Sequence, residues 1–458
     1  MTVLVVAGAV IVLVVVAVAV VTVAVSRSSS DDAAPPTTAD GTTPATAPAV
    51  NARSTTPTEH ADEVLDGTAP GTTDTVSERA ATTDDNPALT TEDRQAAAGG
   101  YTPQRLPGPT CDSIPHGDGP WEAIDPSCVK IRDFDDPANN FGAQTIAVAP
   151  SDPNVIMVGT NYQGVWRSTD RGDTWTRTSN VNRDGFDGCN QFDGRNWALE
   201  IDPDDPDHIL TTNGYGCYGS GWQSFDGGVS WDDTMPKEFM QSINMSGVYD
   251  IAFDPSDSKH ILMTFHDRWE SGASGIAEST DGGRTWVAHQ PRTSWGSGHY
   301  IHFLDNGDSW LLATQEDGLW RTTNRGADWE KVSDESMSHG MNQMYRSASG
   351  TRYLAMANAI MKSTDEGASW STVFTRPCTD GFGGIIGDGT RLYTAPANTG
   401  GSTCGEVSFY SAPESDDDDW TEFGSQKFYD GPMNFAIDPI SRTIYSSNWN
   451  GGIWRLSY

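Results

Sequence analysis

Six recurrences of one short turn box, alternating apolar and polar runs around each box, and an even cysteine count beyond an apolar N-terminal run predict an all-β fold. The expected architecture is a single seven-bladed β-propeller over residues 111–458, with an aspartate turn box in the blades. An N-terminal transmembrane helix and a disordered linker are expected to precede it.

The N-terminal part comes first. Val3 to Val25 is an uncharged run of Val, Ala, Leu and Ile, broken by Gly8 and Thr22. As a helix it reaches about 34 Å, enough for a hydrocarbon core of about 30 Å. Residues 1–25 therefore read as an uncleaved signal anchor, with a cleaved signal peptide ending near Ala24-Val25-Ser26 as the alternative. The expected location is a single pass in the cell membrane with the propeller outside the cytoplasm, or secretion. Residues 26–110 are rich in Thr, Ala, Pro and Asp, with Tyr101 as their one aromatic side chain and a net charge of −8. Such a segment cannot bury enough apolar surface to offset its ordering entropy and is expected to be a disordered linker.

All 16 Trp and all six Cys lie in residues 111–458. Four copies of a Ser-x-Asp-x-Gly-x-Ser/Thr-Trp box carry Asp170 and Trp175, Asp226 and Trp231, Asp281 and Trp286, and Asp365 and Trp370. A looser copy carries Asn324 and Trp329, and a degraded one runs from Ser411 through Asp416–Asp419 to Trp420. In such a box the carboxylate and hydroxyls bond backbone amides across a tight turn, Gly takes the positive φ, and Trp plugs the layer beneath. Three short runs precede each box and one follows, giving four antiparallel strands, A to D, per unit. The last unit, Met433–Tyr458, stops after strand C, so Trp121–Ile124 is expected to supply its D strand and close the ring.

These boxes resemble the Asp-box (BNR) repeats of the sialidase-type propeller superfamily, which includes sialidases, tandem-propeller xyloglucanases, sortilin-type receptors and a photosystem II assembly factor. The resemblance covers about three-quarters of the chain and implies the fold without naming a specific member.

Strand parity places the A–B turns and the boxes on one face, and the long B–C and D–A loops on the other. Variable loops on a rigid scaffold are where function sits, so the boxes read as structural and the opposite, top face as the binding face. The loop positions pair Cys189 with Cys217 and Cys378 with Cys404, leaving Cys111 with Cys128. Candidate ligand-binding residues on the top face are Asn161, Tyr162, Tyr215, His266, Arg268, Trp269, His299, Tyr300 and Trp449. Flat aromatic faces beside amides and charged groups suit sugar rings, so the expected ligand is a glycan or glycoconjugate, with a protein partner as the other possibility.

Two readings remain open, a non-catalytic recognition or assembly module and a glycan-cleaving hydrolase or lyase. The resemblance to sialidases stops short of their Phe/Tyr-Arg-Ile-Pro segment, which is missing. The resemblance to xyloglucanases aligns Val158-Gly-Thr160-Asn161-Tyr-Gln-Gly164 with a strand ending whose Asp is catalytic, and Asn161 stands in its place. An amide cannot act as a general base. A hydrolase would draw instead on Asp267, Glu270, Glu316 or Asp317. No metal or cofactor is expected, and the chain is expected to be a monomer. A net charge of −35 excludes a nucleic-acid partner, which needs cations for its phosphates.

Overall fold

The structure is a computed structural model that describes residues 110–116, 120–129, 131, 142–161, 163–178, 195–212, 221–235, 239, 247–266, 274–289, 295–296, 299–337, 343–376, 381–397, 405–428 and 431–458. The chain divides into two compact units, Met1–Asp84 and Asp85–Tyr458, and every described residue belongs to the second. The expected membrane segment and nearly all of the expected linker lie outside the described residues. Among those described, no helix is long and apolar enough to cross a membrane.

The described fold is all-β, with five antiparallel sheets of four strands and one of nine. In the four-stranded sheets, hydrogen-bonded neighbours follow one another in sequence. Their first strands, Leu199–Ile201, Val248–Asp254, His299–Phe303, Met344–Arg346 and Phe382–Gly387, line one channel with the terminal strands Ala143–Val148 and Asn434–Asp438 of the nine-stranded sheet. Apolar side chains fill the gaps between neighbouring sheets. Trp231, for example, packs with Val155, Ile209 and Trp222, and Trp310 with Leu262, Ile301 and Trp295.

The boxes are built as their residues dictate. Asp170 accepts through Oδ1 from the Thr174 N–H at 2.8 Å and through Oδ2 from the Thr174 hydroxyl at 2.7 Å, while Ser168 Oγ accepts from the Gly172 N–H at 2.7 Å. Asp226, Asp281 and Asp365 repeat these bonds with Ser230, Thr285 and Ser369. The glycine takes a positive φ, and so does the residue before it, including Arg171 (63°), Arg325 (55°) and Glu366 (58°). Box backbone amides donate to A–B turns of the same sheet, from Arg171 to Asn154, Gly227 to Asp207, Gly282 to Lys259 and Arg325 to Asp308. Boxes and A–B turns therefore share one face.

The residue just before each box ties its sheet to the next. Arg167 reaches Asp207 at 2.6 Å, Gln223 the Gly282 carbonyl at 3.2 Å, Arg321 the Glu366 carbonyl at 2.9 Å, and Lys362 Asp417 at 2.5 Å. Glu278 inverts the polarity by accepting from Arg325, and also accepts from His260 and His289 at 2.8 and 2.7 Å. Burial works against its charge, but these three donors together hold the Glu278 carboxyl far below the usual range. In the degraded box Asp417 accepts from Tyr353 at 2.7 Å as well as from Lys362, so part of the aspartate run is spent on packing.

Closure is more extensive than expected. Trp121–Pro126 pairs with Ile453–Ser457, as the sequence predicts, with Trp121 opposite Leu456. A further strand, Thr110–His116, bridges the seam. Its first half pairs with Thr174–Thr176, Cys111 opposite Trp175, and its second half with Ala123–Pro126, Ser113 opposite Pro126. This strand merges the first and last sets of strands into the nine-stranded sheet. Cys111 and Cys128 form a disulfide across it, Cα to Cα 5.8 Å. The other four cysteines lie outside the described residues.

Candidate functional site

The seven inner strands surround a channel of about 540 Å³. An inner strand has no partner on its channel side, so its backbone amides need other acceptors. Side chains from neighbouring inner strands supply several of them. Asp250 Oδ2 accepts from the Ile301 N–H at 2.9 Å, and Asn434 Oδ1 from the Ile146 N–H at 3.0 Å. Gln343 spans a wider gap, bonding both backbone groups of Phe435.

Two carboxyls sit in this channel. Glu200, on the inner strand Leu199–Ile201, is exposed to the lumen rather than packed, and the surrounding ring of protein pushes its carboxyl up to about 7. Asp250 is buried on the next inner strand. Burial and the nearby Glu200 charge drive its carboxyl well above the usual range, against the pull of the Ile301 N–H. A carboxyl that keeps its proton near neutral pH can donate it.

Aromatic side chains cluster above the carboxyls, at the end of the channel opposite the A–B turns. His266 stacks on Trp197 at 4.9 Å, Tyr249 meets Trp197 edge-on at 5.0 Å, and Tyr300 meets Tyr249 at 5.1 Å. Gln315 Nε2 lies 3.4 Å from the Tyr249 hydroxyl. Burial pushes the Tyr300 hydroxyl well above its ordinary value. Trp197, Tyr249 and Tyr300 are buried and His266 is partly exposed.

The sequence-derived candidates distribute unevenly around this centre. His266 and Tyr300 belong to the cluster. His299 is buried in its strand, with Nε2 3.3 Å from the Trp295 carbonyl. Asn161 and Trp449 are buried where the first and last inner strands meet; Asn161 donates its N–H to the Gly142 carbonyl, and Trp449 pairs with Ala143. Asp317 is held by Lys331 at 3.2 Å, and the Glu316 carboxylate packs against Gly296. Tyr162, Tyr215, Asp267, Arg268, Trp269 and Glu270 lie outside the described residues. Among the described residues no group of three or more His, Cys, Asp or Glu side chains could hold a metal ion.

Sequence reasoning passed over Glu200, Asp250, Trp197 and Tyr249. The available signal was an acidic residue within an apolar inner strand, as in Trp197-Ala-Leu-Glu200-Ile and Tyr249-Asp250-Ile-Ala-Phe. A charged side chain at such a position is costly unless the fold gives it a role.

No family model matches the chain. Over 281 residues it is 26% identical to a xyloglucanase of Acetivibrio thermocellus, an alignment covering 51% of this chain and 32% of that protein. A xyloglucanase of Paenibacillus is 26% identical over 302 residues, 56% of this chain and 29% of that protein. The chain thus spans about a third of the length of these curated relatives. Among solved structures, the GH74 xyloglucanase of Xanthomonas campestris superposes with a TM-score of 0.54 at 15% identity, covering 73% of this chain and 53% of that one. A catalytically inactive virginiamycin B lyase from Staphylococcus aureus, solved with quinupristin, gives a TM-score of 0.52 at 14% identity, covering 74% and 99%. With six sheets arranged around one channel, the chain has a β-propeller fold, and no specific family is assigned.

Proposed function

We propose that the chain is a seven-bladed propeller that binds a glycan or glycoconjugate on its top face, the end of the channel opposite the boxes. The nine-stranded sheet counts as the first and last blades, joined by Thr110–His116. The propeller acts as a monomer outside the cytoplasm, carried on a membrane segment at residues 3–25 and a linker at 26–110.

The observation that carries this reading is the partly exposed His266 stacked on Trp197 beside the channel. It forms an aromatic floor at the point where the loops bearing Tyr215, Arg268 and Trp269 leave their strands. The xyloglucanase names of the relatives support a glycan as the ligand class.

A second reading, glycoside hydrolysis, is favoured by one feature: Glu200, with its carboxyl at about 7, beside a second raised carboxyl on Asp250. The test is a glycan array with a reducing-end release assay on the whole chain. Binding without release, weakened in Trp269→Ala, supports recognition. Release abolished in Glu200→Gln or Asp267→Asn supports the hydrolase. Neither binding nor release across plant, fungal and bacterial glycans rejects both.

A further inference from the structure

On the box face, the fifth blade's A–B turn departs from the others. It reads Arg346-Ser-Ala-Ser-Gly-Thr-Arg352, with an arginine at each end. Both guanidiniums converge on one oxygen of Asp305, which lies in the preceding blade's turn. Arg346 Nε is 3.0 Å from Asp305 Oδ1, and Arg352 Nη2 bonds the same atom. Arg352 is 1% exposed, and its Nε is buried with no hydrogen-bond partner; Nη1 reaches the Gly350 carbonyl at 3.2 Å. Two cations, one of them fully buried, thus share a single carboxylate.

Buried charge is ordinarily matched, and among the described residues one positive charge is in excess here. The excess occurs in a chain of net charge −35, so general surface potential does not account for it. The outer guanidinium is accessible: Arg346 is 53% exposed and bonds Asp305 through Nε, which leaves its terminal nitrogens turned elsewhere. Space lies open beside them. Gly350 has φ +88°, and a Cβ placed on it would meet, apart from the adjoining Ser349 and Thr351, Arg346 Nη2 at 4.0 Å. Hydroxyls edge the same turn, with Ser349 Oγ 2.8 Å from Ser347 Oγ and 3.1 Å from Thr351 Oγ1.

We propose that this turn is an oxyanion site that takes a phosphate or sulfate group, free or as the monoester on a larger ligand. The planar Arg346 fork supplies paired donors, the Ser349 and Thr351 hydroxyls supply further ones, and buried Arg352 sets the local field. The site lies on the face opposite the proposed glycan site and does not depend on it.

The experiment titrates the whole chain with inorganic phosphate, inorganic sulfate, glucose 6-phosphate and glucose 6-sulfate. Ionic strength is held constant with chloride, and binding is read by calorimetry and by the shift in Tm. Saturable binding of the tetrahedral anions over chloride is expected, and comparing inorganic ions with esters identifies the source. Arg346→Ala weakens binding about a hundredfold, the loss of the fork's paired charge-assisted hydrogen bonds. Because Arg346 is half exposed, this variant keeps the fold, checked by near-ultraviolet circular dichroism. Asp305→Asn removes the competing carboxylate, so it tightens binding and makes Tm more anion-dependent. No saturable binding of any probe, equal binding by Arg346→Ala (an adventitious ion only), or weaker binding by Asp305→Asn each overturns the proposal.

Discussion

The side-chain amide of Gln343 places both of its hydrogen bonds on the main chain of Phe435, donating to the carbonyl at 2.8 Å and accepting from the N–H at 3.1 Å. It acts as a substitute strand edge across the sheet that lies between them. The gap exists because that sheet offers Gly383 and Gly384 there; a Cβ on Gly384 would collide with Gln343 Oε1. Gln343→Ala should destabilise the fold by about 1–3 kcal/mol by orphaning buried backbone groups. Gly384→Ala should cost a similar amount, and the double variant less than the sum. Urea unfolding of the three variants measures this.

The channel carboxyls should make stability fall as pH rises. Glu200 ionises near 4.5 when unfolded and at about 7 when folded, so folding carries a penalty that grows between those values and stays constant above them. Glu200→Gln should therefore raise Tm above pH 7 and leave it unchanged below pH 4.5. A Tm–pH series for both proteins checks the sign.

Glu278 should act in the opposite sense. Its folded carboxyl is held far below 4.5, so its contribution is complete at neutral pH and is lost as pH falls below that value. Glu278→Gln should cost about 2–3 kcal/mol at pH 7, with the difference shrinking in acid.

The looser box tests the turn logic. Asn324 Nδ2 donates to Asp328 Oδ2 at 3.0 Å, the reverse of the bond from Thr174 to Asp170. Asn324→Asp would set two carboxylates against each other and should cost about 1 kcal/mol. Adding Asp328→Thr should recover the loss, as thermal melts of both variants would show.

The Cys111–Cys128 bridge spans 17 residues. Replacing both with Ser should lower stability by about 3 kcal/mol and raise hydrogen exchange at Thr110–His116. An unchanged exchange rate would show that strand pairing alone holds the seam.

The periodic parts of the fold were legible in the sequence because they are local. Asp170 and Thr174 are four residues apart, and the box repeats whenever the turn does. The inner ring was not legible, because its bonds join residues far apart in sequence, and for Asn434 and Ile146 their nearness depends on the closed circle. His299 shows the same limit at the site. The sequence places it among the top-face ligand candidates, but its pairing opposite Thr314 turns it into the packed interior.

The seam strand also determines how the domain responds to tension. A pull on the chain upstream of Thr110 meets Cys111 one residue later, and the disulfide passes the load directly to Cys128, beyond the hairpin. The intervening residues cannot be drawn out as slack while that bond is intact. Resistance to such a pull at Thr110 is thus set by a covalent link, and a reducing environment would turn the same strand into one that peels hydrogen bond by hydrogen bond.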